Sequence, residues 1–134
     1  MSLAKISGLD HMALAVSDLE KSIQFYEEVF GFEMKEDQRD ENWAIIGIKG
    51  RVYLCLYQQE EVEASANSIY HWGFHVEGSL NELSRALQAK GIKVKNLDKC
   101  PDGVWEYPAS QSLYIYDPDD YAIELSSVCG GGLN

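Results

Sequence analysis

Basic residues are scarce in this chain of 134 residues. It carries 11 Lys and Arg against 22 Asp and Glu, which gives a formal net charge of −11. Nucleic acids and anionic membranes are both recognised through basic patches, so the composition argues against either as a partner.

Long apolar runs and cysteines are also few. No stretch is long enough to span a bilayer, and the first residues carry no secretory signal. The 3 cysteines, Cys55, Cys100 and Cys129, are an odd number without metal-type spacing. We therefore expect a cytoplasmic protein in a reducing compartment, and the length predicts one domain, 1–134.

The stretch 70–77, just past the middle of the chain, alternates between two unlike sets of side chains. Successive side chains on a strand point to opposite faces. One face is bulky and apolar: Trp72, Phe74 and Val76. The other is small and rich in imidazole: His71, Gly73 and His75. This pattern predicts a strand that leaves space on one side and offers nitrogen to whatever fills it.

The same arrangement occurs near the start of the chain, in residues 9–16, where His11 precedes Ala13 and Ala15. Each His-bearing stretch is followed by a Ser-x-x-Glu capping box and then by a helical pattern that ends in glycine. In the first half these residues are Ser17, Glu20 and Gly31; in the second half they are Ser79, Glu82 and Gly91. We interpret the two halves as an internal repeat.

Each half has the predicted order strand-helix-strand-strand-strand. In the first half we predict strands at 8–16, 32–37, 43–48 and 51–57, and a helix from Leu19 to about Phe30. In the second half we predict strands at 70–77, 92–97, 111–116 and 121–128, and a helix whose apolar face is Leu80, Leu83, Ala86 and Leu87. Residues 58–68 are predicted to link modules 6–57 and 69–128, and residues 98–110 to form a loop over a site. Helices on one side of mixed sheets make the fold class α+β.

Glu124 is a carboxylate in the middle of the last predicted strand, on its small face. Burying it without a partner would cost several kcal/mol, so a cation or a strong donor is expected beside it. His11 and His71 lie at equivalent positions of equivalent strands, and two imidazoles with one carboxylate suit a divalent metal. Each His taken alone is more often a hydrogen-bonded structural residue, and the three could also satisfy one another without a metal.

Cys55 stands in the first half where Glu124 stands in the second. It is either a fourth ligand as a thiolate or a small apolar filler, and the usual behaviour of free cysteine favours the filler. Aromatic residues along the strands and the long loop predict a partly aromatic substrate pocket. The residues expected to line it, with Cys55, are Tyr53, Tyr57, Trp105 and Tyr114, although tyrosine is also common in strands for structural reasons.

These motifs together resemble the vicinal oxygen chelate superfamily, which includes glyoxalase I, fosfomycin-inactivating enzymes, extradiol dioxygenases and bleomycin-resistance proteins. The resemblance covers about residues 6–128 and is carried by residues 9–16, 22–32 and 116–125. It implies paired βαβββ modules in a cup-shaped, half-open barrel around a metal. By position it places His11, His71 and Glu124 at the metal ligands.

Residues 52–57 and 70–74 resemble most the fosfomycin thiol transferases, which also have a Cys where Cys55 stands. Ala13, however, occupies a position where those enzymes tend to carry a hydroxyl residue. Lys99 is the only cation in the loop 98–110. From these departures we expect a pocket that does not prefer strongly anionic substrates.

Functions from different classes follow from the resemblance. The first is a metal-dependent lyase, isomerase or thiol transferase, in which Mn, Ni, Zn or Fe acts as a Lewis acid on a substrate with adjacent oxygens. The alternative is a metal-free protein that sequesters a small ligand, as bleomycin-resistance proteins do, or a ring-cleaving dioxygenase. Dimers are common in the superfamily, so we also expect a homodimer, with modules paired within or between chains.

Overall fold

The computed structural model describes residues 2–63 and 69–127. The chain divides into two compact units, Met1–Val62 and Glu63–Asn134. Residues 64–68 of the predicted linker 58–68 lie outside the described residues, as does Cys129. Among the described residues, no helix is both long enough and apolar enough to cross a membrane.

The first unit is one βαβββ module. Its elements are β1 (Met12–Val16), α1 (Leu19–Phe30), β2 (Glu33–Gln38), β3 (Trp43–Ile48) and β4 (Val52–Gln58), with a turn of 3₁₀-helix at Arg39–Glu41. The strand order in the sheet is β1-β4-β3-β2. Strands β1 and β4 are parallel, while the other neighbours are antiparallel.

The second unit repeats this topology. Its elements are β5 (His71–Val76), α2 (Leu80–Ala89), β6 (Trp105–Glu106), β7 (Gln111–Tyr116) and β8 (Ala122–Ser127), with a 3₁₀ turn at Pro101–Gly103. The strand order is β5-β8-β7-β6, and β5 and β8 are the parallel pair. The predicted α+β class and the two βαβββ modules are confirmed.

The alternation of side chains decides which face of each sheet is covered. In β8, Ile123 and Leu125 are fully buried on one face, and in β1 Leu14 and Val16 are buried in the same way. On the opposite face of β5, His71, Gly73 and His75 are exposed. In β1 and β8 the period of two therefore predicted correctly which side chains pack as core.

The N-cap of α1 differs from the predicted capping box. Asp18, rather than Ser17, occupies the cap, and its carboxylate accepts a hydrogen bond from the backbone N–H of Lys21 at 3.1 Å. Asp and Ser are about equally good caps, so sequence alone did not decide between two adjacent candidates. In α2 the predicted cap is correct, because Ser79 accepts from the backbone N–H of Glu82.

The predicted strand at 92–97 is wrong. Only Val94 forms a bridge, to Ile115, and Asn96 takes a left-handed φ of 66° that ends the extended run. The outer strand of the second sheet is instead β6, which lies inside the predicted loop 98–110 and pairs with β7. Residues 98–110 therefore contain a 3₁₀ turn and one strand of a β-hairpin in addition to loop.

The apolar face of α2 also needs correction. Leu80 and Leu87 are buried as predicted, but Ala86 is exposed and Ser84 is buried in its place. The Ser84 hydroxyl donates to the backbone carbonyl of Asp102, which ties the helix to the 3₁₀ turn. A buried hydroxyl with a hydrogen-bond partner costs little, so a polar residue can occupy the inner face.

Candidate metal site

His71 and Glu124 meet on the open face of the second sheet. Strands β5 and β8 are parallel neighbours, and their register pairs Gly73 with Glu124. The Nε2 atom of His71 lies 3.3 Å from Oε1 of Glu124, with side-chain exposures of 41% and 23%. Two of the three residues predicted as metal ligands are therefore in contact within one unit.

The hydrogen bond on the far side of the His71 ring determines which nitrogen faces Glu124. The Nδ1 atom lies 2.9 Å from the backbone carbonyl of Ile69. A carbonyl can only accept, so Nδ1 carries the hydrogen and Nε2 of the neutral ring points a lone pair at the carboxylate. Two electron-pair donors face each other favourably only when a proton or metal cation lies between them. Metal-bound histidines commonly have this arrangement.

The Glu124 carboxylate is held by hydroxyl donors from β7. The Ser112 hydroxyl donates to Oε2 at 3.2 Å, and the Ser126 hydroxyl lies 3.4 Å from that of Ser112. Tyr114 is the direct cross-strand partner of Glu124, and its hydroxyl interacts with the Glu124 carboxylate. One oxygen of the carboxylate is thus occupied by Ser112 while the other faces His71.

Tyr114 is a protonated donor at the centre of this cluster. Burial, together with hydrogen bonds to Tyr107 and Glu124, raises the pKa of its phenol above the usual value. Its hydroxyl lies 2.8 Å from that of Tyr107, and its ring makes an edge contact with His71 at 5.9 Å between centroids. The Nζ atom of Lys95 lies 5.9 Å from the same ring, so a cation from outside the loop 98–110 reaches this face.

His11 presents its ring in a similar way in the first unit. It lies just before β1, because the predicted strand 8–16 begins only at Met12. Its Nδ1 atom lies 2.6 Å from Oδ2 of Asp10, and both side chains are largely exposed. Since a carboxylate accepts, Nδ1 carries the hydrogen and Nε2 remains available as a ligand.

The strand registers support the equivalence of Cys55 and Glu124. Cys55 pairs with Ala13 across the parallel strands of the first sheet, as Glu124 pairs with Gly73 in the second. Cys55 is 7% exposed. Burial, and to a lesser degree the charges of Asp10 and Glu36, raise the pKa of its thiol. This favours the filler interpretation over a thiolate ligand.

The aromatic residues predicted to line a pocket divide between the two sheets. In the first, Tyr53 lies against Gly47, since a Cβ on Gly47 would be 2.6 Å from the Tyr53 ring. Tyr57 stacks on Trp43 at 6.2 Å between centroids. In the second, Trp105 pairs with Ser112 and so shares the face of Tyr114. Tyr53 has a clear packing role in addition to any role in binding.

Within the described part of each unit, no three side chains of His, Cys, Asp or Glu form a group that could hold a metal ion. In the second unit His71 is in contact with Glu124, and in the first unit His11 is in contact with Asp10. Asp10 and Ser112 were not predicted to belong to the site.

The chain belongs to the Glyoxalase/Bleomycin resistance protein/Dioxygenase superfamily. The family model matches residues 8–125, which is nearly the whole chain. The resemblance drawn from the sequence motifs is thereby confirmed.

Its relatives include several fosfomycin resistance proteins. FosX of Listeria innocua is 26% identical over 90% of this chain and 89% of its own length. The glutathione transferase FosA of Serratia marcescens is 29% identical over 90% of this chain and 80% of its own length. A mutant of Listeria monocytogenes FosX, solved with Mn(II) and 1S,2S-dihydroxypropylphosphonic acid, has the same fold, with a TM-score of 0.75, 23% identity and coverage of 96% and 95%.

Proposed function

We propose that this protein is a metal-dependent enzyme acting on a small substrate with adjacent oxygens. The observation that carries the proposal is the contact of His71 Nε2 with Glu124 Oε1 at 3.3 Å, in which the far ring nitrogen already donates to a carbonyl. The reaction belongs to the lyase, isomerase or thiol-transferase types found among glyoxalases and fosfomycin resistance proteins. The similarity to FosX and FosA supports this choice.

The metal is held by His11, His71 and Glu124. Two neutral imidazoles and one carboxylate fit Mn, Ni, Zn or Fe, and leave coordination positions for a substrate. A divalent ion bound there acts as a Lewis acid that polarises the substrate oxygens. The Mn(II) in the related FosX structure supports this choice of cofactor.

The chain's own residues prepare the ligands and the substrate surface. Asp10 and the carbonyl of Ile69 hold the Nδ1 hydrogens of the two histidines, so that both offer Nε2. Ser112 keeps Glu124 in place through its second oxygen. Tyr114, which keeps its proton, can donate a hydrogen bond to a substrate oxygen, and the partly exposed Trp105 provides an apolar surface on the same face.

A metal-free sequestering protein is the second candidate. The contact between His71 and Glu124 also favours this candidate, because a protonated His71 would form an ion pair with Glu124 without a metal. In that case the hydroxyls of Ser112 and Tyr114 would serve to stabilise a polar pair on the open face, and a small ligand would bind without being changed.

The assembly and location form part of the proposal. We propose a homodimer in a reducing, cytoplasmic compartment, where Cys55 and Cys100 remain free thiols. His11 then completes the site from the first module of the same chain or of the second chain. Either arrangement brings together the donor set that neither unit holds alone.

The enzyme and the sequestering protein can be separated by a turnover assay. Protein stripped with a chelator and reloaded with Mn²⁺, Ni²⁺, Zn²⁺ or Fe²⁺ is incubated with a thiol and either fosfomycin or glycidol, a neutral epoxide with a neighbouring hydroxyl. If the protein is an enzyme, we expect a thiol adduct or the hydrolysed epoxide only in reloaded samples, with no preference for fosfomycin over glycidol. Recovery of tightly bound, unchanged ligand in the presence of chelator would instead establish sequestration.

A further inference from the structure

We infer that Tyr107 is a positioning residue, which acts through the hydroxyl of Tyr114 to fix how Glu124 presents its carboxylate to the metal. The inference rests on the proposed function. It assigns a specific role to a half-exposed tyrosine of the loop 98–110 that lies outside the predicted ligand set.

The β6–β7 hairpin brings Tyr107 to the open face. The backbone N–H of Tyr107 donates to the Ser110 carbonyl at 2.7 Å, and the N–H of Ser110 donates back at 3.4 Å, which closes a tight turn. Tyr107 follows Trp105 by two residues and so points to the same side of the hairpin. Its hydroxyl lies 2.8 Å from that of Tyr114.

The direction of the hydrogen bonds follows from the number of protons available. Tyr114 is the cross-strand partner of Glu124, and a carboxylate oxygen accepts, so the single O–H of Tyr114 donates to Glu124. The hydrogen between the two phenols must then come from Tyr107. A hydroxyl that accepts a hydrogen bond becomes a better donor, so Tyr107 strengthens the bond from Tyr114 to Glu124.

This chain of hydroxyls leaves one oxygen of Glu124 directed at His71. Ser112 occupies Oε2, while Oε1 lies 3.3 Å from Nε2 of His71. Without the Tyr107 hydroxyl, the O–H of Tyr114 can rotate towards water, and Glu124 loses a fixed donor. Core packing does not explain the position of Tyr107, because 45% of its surface is exposed.

The test is isothermal titration of the metal-free protein with Mn²⁺. Supporting groups around a metal ligand typically change affinity by about 10- to 100-fold, so Tyr114→Phe should fall in that range and Tyr107→Phe near about tenfold. Because Tyr107 acts through Tyr114, the double variant should bind Mn²⁺ no more weakly than Tyr114→Phe alone. The unfolding temperature of each metal-free variant is measured in parallel.

Gln111→Ala is the matched control. Its side chain donates to Glu106 at 2.6 Å across the same hairpin, away from Glu124. It should lower the unfolding temperature as much as Tyr107→Phe does but leave Mn²⁺ affinity unchanged. Wild-type affinity in Tyr107→Phe, additive losses in the double variant, or an equal loss in Gln111→Ala would overturn the inference. If the wild-type protein binds no Mn²⁺, the proposed function fails, and the inference fails with it.

Discussion

His71 Nε2 lies 3.3 Å from Glu124 Oε1, although the two residues are not direct partners in the sheet. His71 pairs with Ala122, and Glu124 pairs with Gly73, so the contact is diagonal across parallel strands. Gly73 lies between them, where even a Cβ would be only in ordinary van der Waals contact with Glu124, at 3.7 Å from its Cβ. A small residue between the two histidines therefore leaves the diagonal contact unobstructed.

The carboxylate of Asp10 should matter for metal binding. Asp10→Ala removes the acceptor that holds Nδ1 of His11, and such support typically accounts for about tenfold or more in affinity. Mn²⁺ titration measures the effect, with Asp40→Ala, another exposed carboxylate of the same unit, as the control. Equal affinity in the two variants would mean that the Asp10 contact is only a surface ion pair.

Two glycines on the open faces should respond differently to alanine. A Cβ at Gly47 would lie 2.1 Å from the Val52 carbonyl and 2.6 Å from the Tyr53 ring, whereas at Gly73 the nearest atom is 3.5 Å away. Gly47→Ala should therefore cost about 3 kcal/mol of stability through overpacking. Gly73→Ala should stay within about 0.5 kcal/mol. Urea unfolding measures both, and the reverse order would contradict the packing described for Tyr53.

The thiol of Cys55 should ionise at a higher pH in the folded protein than in the unfolded chain. Burial raises its pKa, so its contribution to stability is complete below the unfolded pKa and is lost as pH rises through the folded value. The rate of iodoacetamide alkylation against pH measures this in a Cys100→Ser, Cys129→Ser background, with a urea-unfolded sample as the control. A midpoint below that of the unfolded sample would favour the thiolate ligand instead.

Mixing two variants determines whether the His11 that completes a site belongs to the same chain as Glu124 or to the second chain of the dimer. If modules are exchanged in the proposed dimer, a heterodimer of His11→Ala and Glu124→Ala chains contains one intact site and one doubly broken site. Such heterodimers should recover half of the wild-type metal content, although neither parent binds it. Absence of recovery in purified heterodimers would place all three ligands within one chain.

The open faces could be read from the sequence because strand periodicity is local. The alternation around His71 and the position of Glu124 needed no knowledge of distant pairing. The contacts that complete the cluster were different. Ser112 and Tyr107 reach Glu124 and Tyr114 through the pairing of β6, β7 and β8, and a single sequence does not give that register.

The wrong predictions have local physical causes. The alternating pattern at 92–97 favoured a strand, but the left-handed backbone at Asn96 turns the chain away after the single bridge at Val94. The outer strand then came from Trp105–Glu106, which is too short to show a period of its own. Tertiary pairing overrode the sequence pattern in both segments.

Elemental analysis of purified protein tests the central claim most directly. Protein from cultures supplemented with Mn, Ni, Zn and Fe should contain close to one divalent ion per chain. His71→Ala and Glu124→Ala should lose that ion while circular dichroism shows an unchanged fold. A wild-type protein without metal after supplementation, or full metal retention by both variants, would contradict a metal site at His71 and Glu124.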